Sequence, residues 1–143
     1  MKAATFVLSA AVATTLAWGA VAQEAKTPPV LTLELNGAQP SDKGCRLTFV
    51  VTNDLGAGLS KAAFEIALFN DAGVVDRLTV LDFKDLPAGK TKVTRFDLAG
   101  ADCTKISRVL VNNATECAGS GIEPAACLAH LKTQTKTAIS FGQ

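Results

Sequence analysis

The sequence predicts an all-β sandwich held by disulfides, and three observations carry that reading. Seven short runs of alternating or branched apolar residues recur along the chain. Clusters of Gly, Pro, Asn and Asp separate them at roughly eight-to-fifteen-residue spacing. Four cysteines, Cys45, Cys103, Cys117 and Cys127, lie downstream of a leader-like N-terminus, the arrangement of an exported, oxidised domain.

The leader comes first in the chain. Met1-Lys2 is a short basic start, Ala3–Ala22 carries no charge, and Ala20-Val21-Ala22 places small residues at the −3 and −1 positions. This is the layout of a signal peptide over 1–22, cleaved after Ala22. The alternative is an uncleaved anchor, because 20 uncharged residues just span a bilayer. The Ala/Thr richness, Gly19 and the cleavage-like triplet favour cleavage. No Arg-Arg pair is present, which favours the general secretory route over the twin-arginine one. Loss of Lys2 leaves 13 basic side chains against 13 acidic ones, a balance that favours neither nucleic acid nor an anionic membrane surface. Trp18 and Met1 leave with the leader, there is no Tyr, and the remaining aromatics are six Phe.

Residues 23–29 are polar and end in Pro28-Pro29, which reads as a flexible arm before a single domain over 30–143. Val30–Asn36 alternates, with Leu31, Leu33 and Leu35 on one face, and stops at the turn dipeptide Asn36-Gly37. Cys45–Asn53 is a second strand, with Cys45, Leu47, Phe49 and Val51 on one face. Ala62–Phe69 aligns Phe64, Ile66 and Leu68; the turn Asn70-Asp71-Ala72-Gly73 follows, because Asn, Asp and Gly tolerate left-handed backbone. Val74–Phe83 pairs back as a hairpin. The turn Asp85–Lys90 leads into Thr91–Leu98, and a loop carrying Cys103 precedes Ile106–Asn112, whose Val109 and Val111 face inward. Pro124 suits a first helical position, so a short C-terminal helix is predicted over Ala125–Lys132, and Thr133–Phe141 reads as the seventh strand. This is the pattern of an immunoglobulin-like antiparallel sandwich; a small closed barrel shares the same strand signals.

Strand direction discriminates among the three cysteine pairings. In alternating order, the second and sixth strands run the same way, so Cys45 and Cys103, at their starts, share one end of the domain. Cys103 and Cys117 flank the sixth strand, whose seven extended residues span about 23 Å, far beyond the roughly 7 Å that a disulfide allows between α-carbons. Cys117 lies at the far end from Cys45. The pairs are therefore Cys45–Cys103, a fold staple, and Cys117–Cys127, a small clasp at the tail.

The residues hold few constellations for chemistry. There is no Cys-x-x-Cys, which removes the usual dithiol, zinc-ribbon and haem signatures. Cys127-Leu128-Ala129-His130 has ligand-like spacing, but an oxidised Cys127 leaves His130 as a solvent-exposed helix residue. Ser120 misses the Gly-x-Ser-x-Gly elbow, and no acidic partner is placed beside His130, the single histidine. The carboxylate pairs Asp82/Asp85 and Asp97/Asp102 border turns, where Asp serves backbone hydrogen bonding. Arg95 and Asp97 share a strand face as a solvated charge ladder. Without Trp or Tyr there is no sugar-stacking platform and no base-stacking surface. No catalytic residue, metal site or cofactor is therefore expected.

Cys45-Arg46-Leu47-Thr48-Phe49-Val50-Val51 with Asn53, Leu68-Phe69-Asn70-Asp71-Ala72-Gly73, Leu86-Pro87-Ala88-Gly89-Lys90, Arg108-Val109-Leu110-Val111-Asn112 and Cys117…Pro124-x-x-Cys127 together resemble a group of small, uncharacterised exported proteins of Gram-negative bacteria. The likeness covers nearly all of the chain after the leader and implies a periplasmic location. It implies no activity and no functional residues. The expectation is a non-enzymatic module that binds an envelope protein through its sheet edges, including Thr133–Phe141, or through the Cys117–Cys127 tail. The alternative is an inhibitor of an envelope lysozyme or protease that inserts the Cys117–Cys127 loop. Neither nucleic acid nor, after cleavage, a membrane is an expected partner.

Overall fold

The computed structural model describes residues 22–143. The leader over 1–22 therefore lies outside the described residues but for Ala22. The described residues form two four-stranded sheets packed face to face, with one short helix. The strands are β1 (Val30–Pro40), β2 (Gly44–Asp54), β3 (Leu59–Phe69), β4 (Val75–Leu86), β5 (Thr91–Ala99), β6 (Arg108–Ala118), β7 (Leu131–Thr135) and β8 (Ser140–Gly142). A 3-10 turn, Cys103–Lys105, precedes β6, and α1 is Ala126–Ala129. One sheet is ordered β5-β2-β1-β7 and the other β4-β3-β6-β8.

The period-2 pattern decides which side chains meet between the sheets. Leu31, Leu33 and Leu35 of β1, Cys45, Leu47, Phe49 and Val51 of β2, Phe64, Ile66 and Leu68 of β3, and Val109 and Val111 of β6 are all buried, on the faces their alternation predicts. Five phenylalanines tie the two layers into one core. Phe49, Phe64, Phe83, Phe96 and Phe141 meet edge to face with ring centroids 5.0 to 6.0 Å apart, the arrangement that sets a positive ring edge on a negative face.

Among the described residues, Asn53 is the one buried polar residue. Its amide donates to the carbonyls of Leu86 at 2.8 Å and Ala57 at 3.0 Å, and its Oδ1 accepts from the Leu55 amide at 3.0 Å. Its main chain also pairs with Gly89 and Lys90. One residue thus fastens the end of β2 to the next loop and the end of β4 through its side chain, and to the β4–β5 turn through its main chain. Every polar atom on it has a partner, which makes its burial tolerable.

Three sequence expectations change. Asn36-Gly37 is a bulge, not a turn: the β1–β2 register slips between Leu35 and Gly37 and then pairing continues to Pro40 opposite Cys45. The hairpin turn falls instead at Ser41–Gly44, closed by hydrogen bonds in both directions between Ser41 and Gly44. A Cβ on Gly44 would collide with the Leu98 carbonyl.

The predicted helix Ala125–Lys132 shrinks to one turn. Ala125 at its N-cap offers no side-chain acceptor, and Leu131 already pairs with Leu31. The predicted seventh strand divides in two, giving eight strands. β7 lies parallel to β1 in one sheet, and β8 lies parallel to β6 in the other. Between them Thr135 and Thr137 satisfy the turning backbone: their hydroxyls accept from the amides of Thr137 and Ile139, and Thr135 donates to the Ile139 carbonyl. Ile139 is buried at the crossing. One segment thus finishes both sheets along the same side.

Candidate interaction surface

Both cysteine pairs form as spacing predicts. Cys45, at the start of β2, bonds Cys103 in the 3-10 turn, with α-carbons 5.0 Å apart. Cys117, near the end of β6, bonds Cys127 in α1, with α-carbons 6.0 Å apart. No described cysteine is free. Two disulfides indicate an oxidising environment outside the cytoplasm.

The staple sits where Asp102 caps the 3-10 turn. Its carboxylate accepts from the Thr104 amide at 2.9 Å and the Thr104 hydroxyl. Those hydrogen bonds hold the Asp102 carboxyl below the usual carboxylate range. The clasp fixes both ends of a loop that presents Ser120, Glu123, Pro124 and Ala125 to solvent. Ile122 turns back and packs against the core. Gly119 lies against the Gly58 main chain, where a Cβ would strike the Gly58 carbonyl. Beside the loop is a groove of about 310 Å³, lined by Pro29, Leu55, Ile122, Ala126, Ala129 and His130 among others.

His130 itself is exposed. Its structural role is in its main chain, which ends α1 and accepts from the Leu31 amide at 2.9 Å. Ser120 is exposed on the clasp loop and hydrogen-bonds to nothing among the described residues. The carboxylate pairs separate. Asp82 is bound by Lys84 at 2.7 Å, and Asp85 lies 3.5 Å from Lys92. The Arg95/Asp97 ladder is replaced by a pairing across strands: Arg46 of β2 grips Asp97 of β5 through two hydrogen bonds of 2.9 and 3.0 Å. Arg95 stands opposite Thr48 instead. Neighbours two apart on one strand face the same way, but Arg46 is directly opposite Asp97 and closer. Its hydrogen bonds hold the Asp97 carboxyl below the usual range.

One surface feature was not singled out from the sequence. Among the described residues, Val74, Val75, Leu78, Val80 and Val93 are the exposed large apolar side chains, each about half exposed or more. All five lie on or beside β4 and β5, the two strands that edge one side of the sandwich. The signal was present in Leu78-Thr79-Val80-Leu81, a strand apolar on both faces where a half-buried strand alternates. Comparison of the chain with family models, curated proteins and solved structures found no match.

Proposed function

We propose that this protein is a non-enzymatic immunoglobulin-like module of the periplasm that works by binding another envelope protein. Export follows the general secretory route, with cleavage after Ala22. The observation that carries the binding reading is that, among the described residues, the exposed large apolar side chains gather on or beside the two edge strands of one side. Edge strands are where a soluble domain ordinarily places charge to prevent association, so apolar side chains there favour a contact. The strand order supports the immunoglobulin-like assignment: β5, β2 and β1 face β4, β3 and β6, and β7 joins β1 in parallel. Site-directed photo-crosslinking in cells, followed by mass spectrometry, tests the function. A defined envelope protein joined at this side is the expected product. Recovery of nothing but uncrosslinked monomer under several growth conditions would sink the proposal.

A second reading has its own support, the clasp loop. Its two ends are pinned by Cys117–Cys127 and its tip is exposed, as suits insertion into a cleft with little ordering cost. In this reading the protein inhibits an envelope lysozyme or protease. Replacement of 118–126 by a Gly/Ser segment then abolishes inhibition while the sandwich stays folded; absence of inhibition by the native protein rejects it.

A further inference from the structure

The binding reading can be narrowed to one strand and one kind of partner. The sandwich has four edge strands, and three are defended in ordinary ways. β8 has only three residues. β7 has five, with Lys132 exposed. β5 carries exposed Arg95 and Asp97 on the face that bears Val93. β4 is different. It is guarded at its ends: the β3–β4 register slips at Asp76, between Arg77 and Val75, and again beside Lys84, whose φ is +63°. Between these bulges Arg77–Asp82 is a regular, unbulged run opposite Ala63–Leu68, and its outer face shows Leu78 and Val80, with the one carboxylate, Asp82, at its end and neutralised by Lys84 at 2.7 Å. Six residues span about 20 Å.

The geometry points to β4 accepting an extended strand of another polypeptide along Arg77–Asp82, as a ninth strand, with apolar residues at the two alternate positions that meet Leu78 and Val80. This rests on the binding reading above and names its site and partner class. Main-chain hydrogen bonds would supply affinity, and the two side-chain contacts selectivity.

A second folded copy fits less well, for two reasons. Pairing β4 with itself requires a two-fold axis centred on a residue. Centring on Arg77, Leu78, Thr79 or Val80 sets an aspartate (Asp76 or Asp82) opposite Leu78, Val80 or the other aspartate. Like charges opposite one another are unfavourable, and so is a carboxylate covered by an apolar chain. The window is also too small: a stable dimer needs roughly 800 Å² from each partner, and half-exposed Leu78 and Val80 with one six-residue edge offer well under that. A single strand lacks the surrounding bulk, and for it a six-residue ladder is the whole contact.

The test uses the full exported chain, labelled with nitrogen-15, and a synthetic Lys-Thr-Val-Thr-Val-Thr-Lys peptide. The expected result is chemical-shift change and slowed amide exchange confined to Arg77–Asp82. Leu78→Lys with Val80→Lys should weaken binding at least tenfold while the thermal transition is kept. A peptide N-methylated at alternate residues should not bind. Shifts centred on β5 or the clasp groove would overturn the proposal, as would no binding at millimolar peptide. Concentration-dependent dimers lost in the double Lys variant would assign the edge to a second copy and overturn it too. Capture of a partner at the clasp loop alone would leave the binding reading standing and remove only this site.

Discussion

Lys92 of β5 crosses the side of the sandwich and donates through Nζ to the Asp85 carbonyl at 2.8 Å, and to that of Phe83 at 3.3 Å. Arg77 of β4 makes the reverse crossing and donates to the Ala99 carbonyl, at the end of β5, at 2.8 Å. The two edge strands belong to different sheets and share no ladder. Two cations thus stitch that side shut in opposite directions, each using the main-chain acceptors of the other strand's end.

The stitches predict a measurable coupling. Lys92→Met keeps the aliphatic stem and removes the donor, and should cost about 1 kcal/mol, the net worth of a charge-assisted hydrogen bond that is partly solvated. Arg77→Met should cost a similar amount. Urea unfolding of the two variants and of the double variant measures both. Costs within error of zero would show that hydrophobic packing alone holds the two edges.

Asn53 should be far less tolerant. Asn53→Ala leaves the Leu86 and Ala57 carbonyls and the Leu55 amide without their partner. At about 1–3 kcal/mol for each buried group left unsatisfied, partly relieved by water at the loop, a loss of about 3 kcal/mol is expected. The urea midpoint gives the value. Asn53→Asp should be worse at neutral pH, because a carboxylate would face two carbonyl oxygens.

The two disulfides should separate by experiment. On loop-closure grounds, removing Cys45–Cys103, which closes 58 residues of sequence separation, costs about 4 kcal/mol, and removing Cys117–Cys127, which closes 10, about 3 kcal/mol. Their structural effects differ more than those figures. The Cys117→Ser/Cys127→Ser variant should retain the sandwich's amide protection and lose it only over 118–130. The Cys45→Ser/Cys103→Ser variant should lower protection in β2 and β6 together. Uniform loss in both variants would contradict the division into staple and clasp.

Acid should weaken the fold through specific aspartates. Hydrogen bonds from Arg46, Lys84 and Thr104 lower the carboxyls of Asp97, Asp82 and Asp102 respectively. A carboxyl depressed in the folded state stabilises fully above its unfolded pKa, near 4. That contribution fades as pH falls through the folded value below it. Stability should therefore be flat from pH 7 to 5 and decline below about 4. Asp97→Asn should reduce stability at pH 7 and flatten the decline. Urea midpoints at pH 7 and pH 3 check the sign; a steeper acid decline in the variant would refute the assignment.

Which parts were legible in the chain follows from the range of the forces. The inward faces of β1, β2, β3 and β6 were readable because alternation is local and burial enforces it. The cysteine pairs were readable because strand length and direction forbid the other pairings. The Arg46–Asp97 pair was not, because it depends on which strands become neighbours. Nor was the division of Thr133–Phe141: its alternation is the same whether it serves one sheet or two, and only the pairing of β7 with β1 and β8 with β6 decides. The exposed row on β4 was visible as composition but not as surface.

By itself, then, the sequence determined an oxidised β-sandwich with a staple and a clasp, since period-2 burial and disulfide reach are properties of short segments. The tertiary structure alone decided which strands became edges. That choice stitched one side with Lys92 and Arg77 and left Leu78 and Val80 uncovered, because an edge is defined by the neighbour a strand lacks.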